Sequence, residues 1–116
     1  MNFFVPTDPY EPYDIYILVD PRDNAVYYIG ITTNVVNRYK QHLKKKDCNA
    51  LKTAWIQDLQ KQGLLPQLHI IERVKGLKPA KERERYWFHF YGKQGSPLTN
   101  IHGNPYDRPK NIGVVS

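Results

Sequence analysis

The 116-residue sequence contains one cysteine, Cys48. A lone cysteine closes no internal disulfide and builds no cysteine-cluster metal site. A reducing compartment, and so a cytoplasmic location, is the expectation. The chain also lacks any apolar run near the roughly 20 residues that a membrane-spanning helix needs, so no membrane role is expected. Its start does not read as a secretory leader: Phe3-Phe4-Val5 is a short apolar run cut off by Pro6, Asp8 and Pro9. Acidic residues are scarce, with 11 Asp and Glu against 17 Lys and Arg, a net charge of +6. That excess favours an anionic partner such as nucleic acid or an acidic surface. A content of 41% hydrophobic and 13% aromatic residues is enough for one core, and the length suits one domain.

Local patterning divides the chain. Residues 1–13, with Pro6, Pro9 and Pro12, read as an irregular arm. Ile15 to Val19 is a β-branched and aromatic run with strand character. Asp20 to Asn24 is dense in turn formers, and Ala25 to Ile29 reads as a second strand closed by Gly30. Asn34 to about Lys46 reads as a helix with Thr33 or Asn34 as N-cap and Val36, Tyr39 and Leu43 as its buried stripe. Lys44, Lys45 and Lys46 fall in its last turn, where the helix dipole favours cations. A second helix spans Asn49 to Gln62, with Leu51, Ala54, Trp55 and Leu59 inward and Gly63 ending it. Leu68 to Val74 is a third strand. Pro79 opens a third helix, Ala80 to Tyr91, ended by Gly92. Lys93 to Ser116 reads as loop. The order β-β-α-α-β-α gives an α+β fold, a small three-stranded sheet flanked by helices.

Three features break the pattern of a plain core. On the third helix, Ala80, Glu84, Trp87, Phe88 and Tyr91 share one face, which puts a carboxylate in the most aromatic stripe of the chain. An unpaired buried carboxylate is costly, so Glu84 needs a cation, a metal or donors, Arg38 being one candidate partner. Glu82 lies about 200° away around the helix, and Trp87 at i+3 selects Glu84 as the inward carboxylate. On the first helix, Asn34, Arg38 and His42 form a polar stripe at i, i+4, i+8. Arginine is a bidentate phosphate fork, and histidine titrates near neutral pH. In the hairpin, a turn centred near Arg22 places Tyr16 and Tyr28 directly across from each other, on one face.

These pieces stand in a fixed order: Ile15-Tyr16, Tyr28-Ile29-Gly30, Arg38, His42, Glu84 and Asn100. The set resembles the GIY-YIG endonuclease family from about Asp14 to Ile101, leaving residues 102–116 as a loop-rich tail. The resemblance implies a small antiparallel sheet flanked by helices and a catalytic set of Tyr16, Tyr28, Arg38, His42, Glu84 and Asn100. Glu84 is the implied metal ligand, for Mg²⁺ or Mn²⁺. Implied activity is hydrolysis of phosphodiester bonds, DNA more than RNA, with either Tyr16 or His42 as general base. The first motif departs from the family at one point, Asp14 standing where glycine is usual. Lys40, Lys44, Lys45, Lys46, Arg83 and Arg85 are the expected nucleic-acid contacts, although Lys44 to Lys46 can equally be a solvated helix end. A catalytically silent nucleic-acid-binding module on the same fold is the alternative.

Overall fold

The middle strand of the sheet is buried on both faces, and this decides how the helices are layered. The structure, a computed structural model, describes residues 10–44 and 49–100. Residues 1–9 of the expected arm, Lys45, Lys46, Cys48 and the tail from residue 101 lie outside the described residues. Strands β1 (Pro12–Val19), β2 (Val26–Thr32) and β3 (Gln67–Lys75) form an antiparallel sheet in the order β2-β1-β3. Helices α1 (Val35–Lys44), α2 (Ala50–Lys61) and α3 (Leu77–Lys93) complete the expected β-β-α-α-β-α order.

With a neighbour on each edge, β1 is buried from Asp14 to Val19. Its pleat sends alternate residues to opposite faces. Ile15, Ile17 and Val19 join Val26 and Ile29 against Trp87, Phe88 and Tyr91 of α3. Tyr16 and Leu18 point the other way, into Trp55, Ile56 and Leu59 of α2, with Tyr39 and Leu43 of α1 beside them. The sheet therefore separates α3 from α1 and α2.

Several boundaries differ from local propensity, each because a partner extends or turns an element. β1 begins at Pro12, inside the segment expected to be an arm, because Pro12 to Asp14 pair with Arg73 to Lys75. β2 runs through Gly30 to Thr32, which pairs with Asp14. Val36 is not part of a buried stripe but is 63% exposed; the face of α1 turned inward carries the buried His42 instead. In α2, Leu51 and Ala54 point outward, and the buried residues are Lys52, Trp55, Ile56 and Leu59. α3 passes through Gly92 and ends at Lys93, before Gly95, whose φ of +86° suits the chain reversal there. Asn34 is the cap of α1, accepting the Asn37 N–H at 3.0 Å through Oδ1.

The hairpin register carries the consequence that matters most. Tyr16 faces Gly30 across the strands, and Tyr28 faces Leu18, so the two tyrosines are diagonal rather than directly opposite. A two-residue offset keeps them on one face. The Tyr16 ring lies flat over Gly30: a Cβ there would stand 2.5 Å from the phenol oxygen and 2.6 Å from Cζ. No side chain fits in that space. Gly30→Ala is expected to destabilise the fold by about 1–3 kcal/mol, and most of that cost should vanish in a Tyr16→Ala background. A denaturation double-mutant cycle measures the coupling; additive effects would show that the ring and the glycine do not constrain each other.

Candidate active site

Tyr16, Tyr28, Arg38 and His42 come from three elements and meet on the α1 and α2 side of the sheet. The Tyr16 side chain has no exposed surface, and its oxygen lies 2.7 Å from His42 Nε2. His42 is itself only 3% exposed. The Tyr28 ring sits 6.2 Å from the Tyr16 ring and 5.1 Å from the imidazole, meeting the latter edge to face. Arg38 stands one turn before His42 on α1, half-buried, and acts electrostatically on both phenols. Its Nη1 donates to Gln41 Oε1 at 3.0 Å. The pairing of β1 with β3 shifts register between Ile15 and Tyr16, leaving Ile71 of β3 without a partner in the ladder at the level of this cluster.

The electrostatics hold Tyr16 protonated at rest. Burial pushes its phenol well above the usual tyrosine value, the neighbouring Tyr28 adds to this, and Glu84 adds more weakly. Arg38 pulls in the opposite direction, by charge and by hydrogen bonding. Burial would lower the Arg38 guanidinium, but the two phenols beside it leave it above its ordinary value.

Glu84 approaches from the other layer. Glu82 is exposed and Glu84 is turned inward, as the aromatic stripe of α3 requires. Burial pushes the Glu84 carboxyl from 4.5 up to about 7, with Lys81 one turn earlier pulling weakly against it. It forms no hydrogen bond or ion pair among the described residues, so the candidate pairing with Arg38 is not made. Its reach to the cluster is electrostatic, through its effect on Tyr16.

Asn100 is buried and acts on the backbone of β2. Its Oδ1 accepts the Ile29 N–H at 3.0 Å, and its Nδ2 donates to the Ile29 carbonyl at 2.7 Å. The side-chain amide thus pairs with the edge of β2 like a strand residue, between Tyr28 and Gly30. The preceding residue repeats the grip, Thr99 donating twice to the Tyr27 carbonyl at 2.7 Å. Asp14, the departure from the family motif, accepts from Arg73 Nε at 2.6 Å, its register partner on β3.

The expected basic contacts do not form one surface. Lys40 and Lys44 are exposed on α1. Arg85 is exposed on α3, across the sheet. Arg83 is engaged within the fold: its Nε donates to Glu72 at 2.8 Å, and its guanidinium lies 4.3 Å from the Tyr86 ring centre. Glu72 also accepts from Trp87 Nε1 at 2.8 Å. Lys45 and Lys46 are outside the described residues.

One residue of the cluster escaped sequence reasoning. Lys52 on α2 is 2% exposed, with Nζ 3.0 Å from His42 Nδ1 and 5.1 Å from the Tyr28 ring centre. The signal was present, since Lys52, Trp55, Ile56 and Leu59 lie at i, i+3, i+4, i+7. A lysine in such a stripe reads as solvated unless its partner is known, and the partner here is on another helix.

Residues 12–96, most of the 116-residue chain, match the family model described as the GIY-YIG catalytic domain. No curated protein and no solved structure matches the chain significantly. No helix among the described residues is long and apolar enough to cross a membrane. A two-tyrosine hairpin over a glycine, an Arg–His helix and an inward glutamate thus lie within one family match, and the chain belongs to the GIY-YIG family of nucleases.

Proposed function

We propose that this chain is an endonuclease that hydrolyses phosphodiester bonds in nucleic acid through a site holding one divalent metal ion. The observation that carries the reading is the convergence of two phenols, a guanidinium and an imidazole on one face of the sheet, with an inward carboxylate on α3 that acts on Tyr16 electrostatically and makes no hydrogen bond or ion pair among the described residues. GIY-YIG nucleases are generally divalent-metal dependent. Glu84 fits that need: a half-buried carboxyl raised to about 7 gains most from a cation. One carboxylate suits a hard ion such as Mg²⁺ or Mn²⁺ that keeps most of its waters. When bound, the ion supplies Lewis-acid neutralisation of phosphate and leaving oxygens.

The chain's own residues supply the remainder. Arg38 holds a non-bridging phosphate oxygen by charge-assisted hydrogen bonds. Tyr16, as phenolate, takes a proton from the attacking water as the new P–O bond forms, while the leaving oxygen departs and is protonated by solvent. An ordinary tyrosine titrates near about 10, and the buried Tyr16 lies higher, so its ionisation depends on the positive charge gathered around it when substrate and cation are in place. Tyr28 and His42 orient Tyr16, and Asn100 fixes the β2 backbone that carries Tyr28. Lys40 and Lys44, on the same side of the sheet as the cluster, contact flanking phosphates, so affinity falls as salt rises. The family resemblance favours DNA over RNA, and the lone cysteine suits a cytoplasmic setting.

Three outcomes follow. With Mg²⁺ present, Glu84→Ala is expected to lose cleavage of single-stranded DNA, duplex DNA and RNA alike; a variant cutting as fast as the parent removes the metal assignment. Tyr16→Phe is expected to slow cleavage by about 10²–10⁴-fold and to abolish the ascending limb of the pH–rate profile, where rate climbs as the base loses its proton. A profile that keeps this limb, and loses it in His42→Ala, makes His42 the base. Retention on heparin with no cleavage under any of these conditions identifies a silent binding module instead.

Stability gives an independent check. The folded protein keeps the Glu84 proton that the unfolded chain releases between about pH 4.5 and about pH 7. Stability is therefore lost as pH rises through that window, and Glu84→Gln is free of the loss. In chelator, the Tm of Glu84→Gln minus that of the parent should grow from about pH 5 to about pH 8. Added Mg²⁺ should raise the Tm of the parent but not of the variant. A pH-independent difference would show that the carboxyl is not raised.

A further inference from the structure

Lys52 combines near-complete burial with a position the proposed chemistry does not yet use. Lysine is rarely buried without partners, because desolvating an ammonium is costly. The backbone delivers it firmly: Asn49 caps α2 by accepting the Lys52 N–H at 3.0 Å, and Asn49 Nδ2 donates to the Thr99 carbonyl at 2.8 Å. Thr99 in turn bonds to Tyr27. The start of α2 is thus tied to the strand that carries Tyr28. The Lys52 side chain runs inward, with Nζ 3.0 Å from His42 Nδ1 and 5.1 Å from the centre of the Tyr28 ring, a distance at which a π face attracts a cation.

We propose that Lys52 is a positioning residue that fixes the tautomer of His42, and through it the hydrogen-bonding role of Tyr16. An ammonium has three N–H donors and no acceptor. The imidazole nitrogen it touches, Nδ1, must then be the one with the lone pair. A neutral ring with a bare Nδ1 carries its proton on Nε2, the atom 2.7 Å from the Tyr16 oxygen. His42 therefore donates to Tyr16 and has no lone pair left with which to take the tyrosine's proton. The order of donors runs Lys52 Nζ–H to His42 Nδ1, then His42 Nε2–H to Tyr16. Such an arrangement accepts a phenolate at Tyr16, with Arg38 as its positively charged neighbour. It assigns His42 as a donor that supports the base rather than as the base.

This inference deepens the proposed role of Tyr16, but its test needs no turnover. The histidine rings are labelled with ¹⁵N and their two-bond ¹H–¹⁵N patterns are recorded near neutral pH without nucleic acid. His42 is identified among the four histidines by its loss in His42→Gln. The expected pattern is the Nε2–H tautomer, with an unprotonated Nδ1. Lys52→Met, matched in length and without donors, is expected to move the ring to the Nδ1–H tautomer or to an average of the two, in a protein that still unfolds cooperatively.

A parent ring that carries hydrogen on Nδ1, alone or on both nitrogens, overturns the proposal. An unchanged ring in a folded Lys52→Met overturns it as well. Where that variant does not fold, the Lys52 ¹⁵Nζ resonance of the parent decides, since an ammonium is required and a neutral amine refutes it. The two readings separate cleanly. An Nε2–H ring in a protein that cleaves nothing leaves the Lys52 assignment standing and removes the endonuclease. Cleavage by a protein whose ring is Nδ1–H does the reverse.

Discussion

A phenol oxygen sealed from water in the central strand of a sheet has to find its hydrogen bonds within the protein. Tyr16 meets that condition, and much of the molecule is arranged around it. α1 turns His42 inward and leaves Val36 in solvent, the reverse of what apolar spacing alone favours, because the imidazole satisfies the phenol. Gly30 leaves room for the ring to lie over β2. The sheet that holds β1 on both edges removes Tyr16 from solvent and raises its phenol. A group held this strongly in its neutral form is quiet until positive charge arrives, as the proposed role of Tyr16 as a base requires.

The two helical layers divide the work. α1 and α2 build a polar, cationic and aromatic cluster on one side of β1, and α3 brings the carboxylate from the other layer. Glu84 feels burial more than any neighbouring charge. Among the described residues Glu84 makes no ion pair with Arg38 or Lys52, as its proposed role as a cation ligand requires. The remaining acids of this region are paired: Glu72 with Arg83 and Trp87, Asp14 with Arg73. The departure of the first motif from glycine is absorbed in this way, as a cross-strand ion pair with β3 two residues before Tyr16.

Polar residues at odd positions were the readable part of the candidate site. Tyr16, Tyr28, Arg38, His42 and Glu84 all stood where a packed core or a plain solvated face would use other residue types, and the family match covers the segment that holds them. Asn100 was legible only through resemblance, since nothing local distinguishes an asparagine that pairs with Ile29 from one in an ordinary loop. Lys52 was missed for a related reason. Local pattern reports whether a side chain suits water, but it does not report a partner supplied by another helix. The same blindness misplaced the inward faces of α1 and α2, where His42 and Lys52 replace Val36 and Leu51.

The order of elements, the hairpin, the choice of Glu84 over Glu82 and the parity that keeps both tyrosines on one face follow from residue type and spacing. Periods of 2 and 3.6 are properties of the local chain. Tertiary structure alone decided the two-residue offset that lays Tyr16 over Gly30, the extension of β1 to Pro12, and the meeting of Lys52 with His42. Those depend on which strand lies beside which and how far each helix is rotated. That balance is struck by burial and hydrogen-bond satisfaction across residues far apart in the chain, where no short window of sequence can weigh it.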